Sequence, residues 1–330
     1  MSHRPSLDPA VADVRRAVRA SLARLDPARP LVVGLSGGAD SLALAAAVAF
    51  EARRSDVSAI AVVVDHGLQE SSAEVAAGAA GTAGSLGLEA CVVVVDVDTV
   101  GGVEAAARQA RYRALRTVAE ERGRAAVLVG HTLDDQAETV LLGLARGSGA
   151  ASLKGMAPMS DLDGVPLVRP LLSLRRSATR AACAAQGLEP WDDPHNADPR
   201  FARVRTRNTV LPVLERQLGP GVAEALARTA EQLREDADAF DEMIGETIED
   251  IVEHAEAGIS VSAPALAANP AAIRHRIIRL VVASEFGASL SRVQTLEVAR
   301  LVTDWSGQGP IDLPGCRARR IGDRIAFTAV

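Results

Sequence analysis

Aromatic residues make up only 2% of this 330-residue chain, lysine occurs once, at Lys154, and cysteine three times, at Cys91, Cys183 and Cys316. Each shortage excludes something. Without aromatics the core must rest on aliphatic β-branched strands and Ala-rich helices, and the 48% apolar fraction is indeed carried by Ala, Val and Leu. The cysteines are far apart and form no C-x-x-C, which argues against a paired-cysteine metal or iron–sulfur site and leaves each as a small buried hydrophobe. The start, MSHRPSLDPAVADVRRAV, has no apolar signal segment, and no later run approaches the roughly 18 apolar residues of a membrane span. A cytoplasmic location is the expectation.

With lysine nearly absent, arginine supplies the positive charge. The net charge of −6 speaks against nucleic acid only as an average. Acid concentrates between Glu231 and Glu256, while arginines cluster at 169–180, 200–207, 274–279 and 317–324, so one face can still meet a polyanion. Solvated helix faces explain any single cluster equally well.

Apolar runs at 31–35, 59–65, 90–97 and 126–131 read as strands, and Ala-rich segments near 40–54, 71–87 and 103–123 as the helices between them. Continuously apolar strands alternating with helices predict a parallel sheet covered on both faces, with ligands at the carboxyl ends of the strands. Past about residue 190 strand signals stop. Helices are expected at 208–218, 221–257, 270–286 and 291–303, followed by a hairpin tail with turns at Pro314-Gly315 and Gly322-Asp323. The length suits two domains, placed at 1–215 and 216–330.

Chemistry concentrates at the strand ends. After the first strand comes Ser36-Gly37-Gly38-Ala39-Asp40-Ser41. Gly34-Leu35-Ser36-Gly37-Gly38 also fits the G-x-S-x-G elbow of a serine esterase with Ser36 as nucleophile, but that elbow needs earlier strands and an oxyanion loop upstream. The alternative is a phosphate cradle: glycines that let backbone approach an anion, serine hydroxyls that donate, and a helix N-terminus behind them. Asp40 would repel a phosphate unless a cation bridges the two, which implies Mg²⁺. Gly130-His131-Thr132-Leu133-Asp134-Asp135-Gln136-Ala137-Glu138-Thr139 ends the fourth strand. Its Asp135 and Glu138, or Asp134 and Glu138, share a helical face able to bind a cation or an ammonium group, unless they only complement the helix dipole. His131 ends a buried strand where ligands bind. Glu104, Arg108 and Arg111 fall at helical spacing, so the two arginines can neutralise a leaving pyrophosphate or simply form surface pairs. Val64-Asp65-His66-Gly67-Leu68 ends the second strand, where its backbone can meet an adenine edge.

Together these stretches resemble the N-type ATP pyrophosphatase, or PP-loop, superfamily, and more closely the tRNA(Ile)-lysidine synthetase family. The resemblance rests on SGGADS, VDHGL, the A-R-x-x-R-Y helix at 107–112, GHTLDDQAET, Arg146-Gly147-Ser148-Gly149, Arg169-Pro170-Leu171-Leu172, Asn196-Ala197-Asp198-Pro199 and the arginines before Leu211-Pro212. It implies a five-stranded parallel sheet flanked by helices, with a smaller, mainly helical C-terminal domain ending in a short hairpin. It implies ATP held by Ser36 to Ser41 with Asp65, His66 and Arg146, catalysis by Asp40, Arg108, Arg111 and His131, and Mg²⁺ at Asp40. Asp135 and Glu138 would then grip L-lysine, Arg203, Arg205 and Arg207 would meet the tRNA, and the reaction would adenylate the wobble cytidine of a CAU anticodon before lysine displaces AMP. A homodimer is left open. Arg203-Val204-Arg205-Thr206-Arg207 departs from the family's Arg-Asn-Arg-Ile-Arg, and no full copy of the further C-terminal tRNA-recognition domain of some members is expected. Trp191 and Phe201 are the candidates for stacking on a flipped base. The rivals are a tRNA thiolation enzyme on the same fold, the esterase, and a nucleotide-binding sensor without catalysis.

Overall fold

The computed structural model describes residues 7–67, 69, 71–97, 103–147, 149–255 and 258–330. Leu68, Ser148 and Ala257, and the side chain of Glu104, lie outside the described residues. The chain forms two compact units that divide after Arg234.

In the first unit the elements run α1 (Pro9–Leu22), β1 (Leu31–Gly34), α2 (Ala39–Ser55), β2 (Ala59–Asp65), α3 (Ser72–Ser85), β3 (Glu89–Val94), α4 (Val103–Glu121), β4 (Ala126–Leu128), α5 (Leu133–Ala145) and α6 (Ala150–Leu153). After these come β5 (Met159–Leu162), β6 (Val165–Val168), α7 (Arg176–Ala185), α8 (Ala202–Arg205) and α9 (Leu211–Leu218), and α10 (Val222–Ile251) spans the division. The sheet has the order β3-β2-β1-β4-β6-β5, parallel except for β5, which runs antiparallel to β6. The sheet therefore has six strands, not the five expected. The addition is a hairpin closed by Asp163 and Gly164, both at positive φ (49° and 86°), as a two-residue Asp-Gly turn requires.

Alternate residues of each strand feed opposite faces. Leu31, Val33, Ala61, Val63, Ala126 and Leu128 pack with α1, α2 and α7, whereas Val32, Ile60, Val62 and Val127 pack against Leu115 and Ala119 of α4. The helix α2 is buried along most of its length, which small side chains make possible: Ala43, Ala45, Ala47 and Ala49 are each nearly inaccessible. The chain order reverses at β1, since β2 and β3 lie to one side of it and β4 to the other. Such a switch point opens a crevice at the strand carboxyl ends, between the loops leaving β1 and β4.

The second unit departs from the helical expectation. Its strands β7 (Val252–Ala255), β8 (Gly258–Ser262), β9 (Ile311–Leu313), β10 (Cys316–Ile321) and β11 (Arg324–Ala329) form an antiparallel sheet in the order β7-β8-β11-β10-β9. Its helices are α11 (Ala263–Ala268), α12 (Ala271–Phe286) and α13 (Arg292–Thr303). The expected helix to residue 257 stops at Ile251, and the tail is no isolated hairpin but three strands of this sheet. Val261, Ala318, Ile325 and Phe327 point into a core closed by Ile277, Ile278, Val281 and Val298, while Arg317 and Arg319 alternate outward. Among the described residues no helix is long and apolar enough to cross a membrane.

Candidate active site

The nucleotide-loop candidate leaves β1 and turns at Gly37, whose φ of 81° suits glycine. Gly38 caps α2 without any side-chain hydrogen bond, so the first amides of that helix are not covered by a protein side chain. The Ser36 amide donates to Ser41 Oγ at 3.1 Å, the two serine hydroxyls are 3.2 Å apart, and Ser41 donates on to the Gly38 carbonyl at 2.9 Å. The Ser36 hydroxyl thus pairs with another serine, not with an imidazole that would activate it as the esterase reading needs. The Trp191 amide donates to the Gly37 carbonyl at 3.0 Å and pins the turn from the far side.

The loop after β4 meets this turn at close range. A Cβ added to Gly130 would lie 2.8 Å from the carbonyl oxygen of Asp40, so glycine is what allows the two motifs to touch. Thr132 then caps α5 in a capping box, with its amide donating to Asp135 Oδ2 at 2.8 Å. Asp135 is 8% exposed and Glu138 is fully buried. Carboxylates do not stay ionised at such depth unless paired, and here the partners are three guanidinium groups.

Arg203 Nε donates to Glu138 Oε2 at 3.0 Å, and Arg207 Nε donates to Oε1 at 2.7 Å. The third is Arg176, at the start of α7. Its Nη2 donates to Asp135 Oδ1 at 2.8 Å, its Nη1 to Glu138 Oε1 at 3.4 Å and its Nε to Asp40 Oδ2 at 3.2 Å, while its backbone amide donates to Asp134 Oδ2 at 2.7 Å. Thr179, one turn further on, donates to the other Asp40 oxygen. These neighbours hold the Asp135 carboxyl below its ordinary range despite burial, and the carboxylates around Arg176 raise its pKa further. Burial raises the pKa of Asp40, with Thr179 and Arg176 opposing that shift.

Two expectations change here. Arg203, Arg205 and Arg207 do not form one RNA-facing row. Arg203 and Arg207, four residues apart, face Glu138, whereas Arg205 is exposed and its Nη1 donates to the carbonyls of Pro199 and Arg200 at 2.7 and 2.8 Å. The departing residues Val204 and Thr206 point inward, which an apolar Val and a hydroxyl bonded to the Ala202 carbonyl both tolerate. Second, both oxygens of Asp40 accept from α7, one from Arg176 and one from Thr179, so a cation there would share them with these donors. Among the described residues no group of three His, Cys, Asp or Glu side chains could hold a metal ion.

Histidines line the rest of the crevice. His131 is pushed down to about 3, first by burial and then by Arg108, Arg169 and Arg203, and its Nδ1 is buried without a partner. His66, at the end of β2, has both ring nitrogens buried and unpartnered, and burial and Arg111 lower its pKa. Asp65 is occupied in its own turn, accepting from the Gly67 amide at 2.9 Å. Arg108 stacks over Tyr112 with its guanidinium 5.0 Å from the ring centroid. Arg108, Arg111, His66 and His131 therefore share one electropositive region, with orphaned imidazole nitrogens that an anionic, hydrogen-bonding ligand would satisfy. Arg146 stands apart. It caps the far end of α5, a 13-residue helix and so about 20 Å from the end that carries Asp135.

Sequence reasoning missed Arg176 and Thr179. Thr179, Ala182 and Cys183 form the buried face of α7 and Arg176 sits one turn earlier on that face, but it stands among similar arginines and packing alone singles it out. The cysteines offer no reactive thiol. Burial pushes Cys183 up to about 11 and raises Cys316, and Cys91, half-buried on β3 rather than interior, is raised as well.

Comparison with known proteins agrees with this geometry. The PP-loop domain family matches residues 11–214, and the TilS substrate binding domain family matches residues 262–325. A tRNA(Ile)-lysidine synthase from Leifsonia xyli is 58% identical over 92% of this chain and 91% of its own. The proteins of the same name from Salinispora tropica and Thermobifida fusca are 53% and 48% identical, over 94% and 96% of this chain and 93% and 96% of theirs. Among solved structures, a U34-tRNA thiolase from Methanococcus maripaludis has a similar fold, with a TM-score of 0.58 over 68% of this chain and 79% of its own at 21% identity.

Proposed function

The chain belongs to the tRNA(Ile)-lysidine synthase family, and from that premise we propose the reaction its crevice performs and the residues that perform it. The protein is an ATP-dependent ligase that joins L-lysine to the wobble cytidine of the CAU anticodon of tRNA(Ile). The carbonyl oxygen on the cytosine ring of the wobble cytidine attacks the α-phosphorus of ATP and pyrophosphate leaves. The amine of lysine then attacks the ring carbon that bears this oxygen and loses a proton, the carbon–oxygen bond breaks, and AMP carries the oxygen away.

The residues fit a triphosphate. Ser36 to Ser41 supply the first amides of α2, which no side chain caps, and two serine hydroxyls that can turn from each other to an anion. Arg108 and Arg111 stand on the side where charge builds as pyrophosphate departs. His131 and His66, neutral at physiological pH, are hydrogen-bonding groups rather than strong bases. Mg²⁺ would neutralise phosphate charge and would enter with the nucleotide, since among the described residues no group of His, Cys, Asp or Glu side chains forms a cage for it. Asp135 and Glu138 take the lysine ammonium group, at the 3.4 Å contacts where the existing guanidinium bonds are longest. Arg205 faces the RNA from the first unit. The second unit contributes further tRNA contact.

The observation that carries this reading is the touch between Gly130 and Asp40, which sets the nucleotide loop and the acidic pair side by side in one crevice. Consecutive adenylation and amine transfer at one carbon need that adjacency. The thiolation alternative needs a sulfur carrier, and the cysteine thiols here have raised pKa values. The test is incubation of the protein with ATP, Mg²⁺, labelled L-lysine and a tRNA(Ile) transcript bearing CAU. Label is expected in the tRNA, dependent on ATP, and absence of label with a folded preparation would contradict the assignment.

A further inference from the structure

The charges of the acidic pocket cancel. Asp40, Asp135 and Glu138 carry three negative charges, and Arg176, Arg203 and Arg207 carry three positive ones. Among the described residues only Arg176 reaches all three carboxylates, and so links the nucleotide loop to the pocket proposed for lysine. Arg203 and Arg207 approach from the segment around α8 and touch Glu138 and Asp135 but not Asp40. Asp40 is the second residue of α2, directly behind the turn that would hold the triphosphate.

Two ligands of opposite charge must share this space. A triphosphate is repelled by exposed carboxylates, and an ammonium group is attracted by them. At a separation of about 10 Å, and with an effective dielectric of about 20, one unit charge changes affinity on the order of ten-fold. A guanidinium that spans the three acids therefore favours the nucleotide and competes with the amine.

We infer that Arg176 is a positioning residue that shields bound nucleotide from the lysine-binding carboxylates, trading lysine affinity for ATP affinity across the crevice. This rests on the ligase reading above. Arg176 acts through Asp40, Asp135 and Glu138 and touches neither substrate's reacting atoms. It also gives the order of the two steps a physical basis, because the pocket is closed to an ammonium group while Arg176 bridges it and opens only when that bridge loosens.

The experiment measures the KM for ATP by pyrophosphate release with tRNA and no lysine, and the KM for lysine by label transfer, in the wild type, Arg176→Met and Arg176→Lys. With Arg176→Met the KM for ATP rises on the order of ten-fold and that for lysine stays level or falls. Arg176→Lys keeps the charge and holds the KM for ATP within about three-fold of wild type. Shifts of opposite sign are what a scaffold residue would not produce. If both constants rise together, or if Arg176→Lys raises the KM for ATP as much as Arg176→Met, the inference is overturned. If the wild type releases pyrophosphate but transfers no lysine, the ligase reading fails first and the inference with it.

Discussion

The two units of this chain use the same pairing, arginine with carboxylate, to different ends. In the first unit Glu138 is fully buried and shared by Arg176, Arg203 and Arg207, which arrive from separate segments. In the second, Arg317 pairs with Asp312 and Arg324 with Glu253 on sheet strands whose acids are 76% and 69% exposed. Composition does not separate the two sets. Burial does, because a charge taken out of water must find partners wherever the fold supplies them, whereas an exposed pair is largely replaced by solvent. The buried pairs thus concentrate charge at the strand-end crevice where the proposed substrates would meet, whereas the alternating pairs on the open sheet face are mostly surface.

Removing buried acid should cost most. Glu138→Ala strands three guanidinium groups, and urea unfolding is expected to register a loss of about 3–5 kcal/mol. Gly130→Ala tests the contact between the motifs themselves. Its methyl would sit 2.8 Å from the Asp40 carbonyl, so the backbone must part, with a loss of about 1–3 kcal/mol and slower pyrophosphate release. A wild-type rate for that variant would show that the adjacency is not needed.

The histidines sharpen the comparison through pH. His131 titrates at about 3 in the folded chain and near 6.5 when unfolded, so the unfolded chain takes up the proton first and stability falls as pH drops from about 6.5 towards 3. His131→Asn should flatten that part of the profile. Adding ATP brings negative charge beside His131 and His66, and their imidazole titrations, followed by NMR, should move upward. No movement would place the nucleotide elsewhere. The smallest effect belongs to the exposed sheet: Asp312→Ala should change stability by about 0–1 kcal/mol and leave ligation intact.

The same contrast explains what was legible beforehand. Strands β1, β2 and β4 were readable because burial on both faces makes them continuously apolar, and the two loop motifs because each keeps its chemistry within about ten residues. In the second unit the two tail turns were legible, whereas β7 was read as the end of a helix and β8 carried no strand reading. In Cys316-Arg317-Ala318-Arg319 the outward residues read as a basic cluster, although the period of two was the strand signal. The hairpin that adds the sixth strand is announced only by the Asp163-Gly164 turn, between two strands of four residues each. Arg176 was invisible for a different reason. It stands in a run of similar arginines, and only packing decides that it turns inward while Arg180 meets Asp192 at the surface.

The division of labour between loop and acids is tested most directly by comparing the two half-reactions in Asp40→Asn and Glu138→Gln. Pyrophosphate release from ATP and tRNA should fall in Asp40→Asn and stay near wild type in Glu138→Gln, whereas lysine transfer to already adenylated tRNA should fail mainly in Glu138→Gln. Equal losses in both steps for both variants would contradict it.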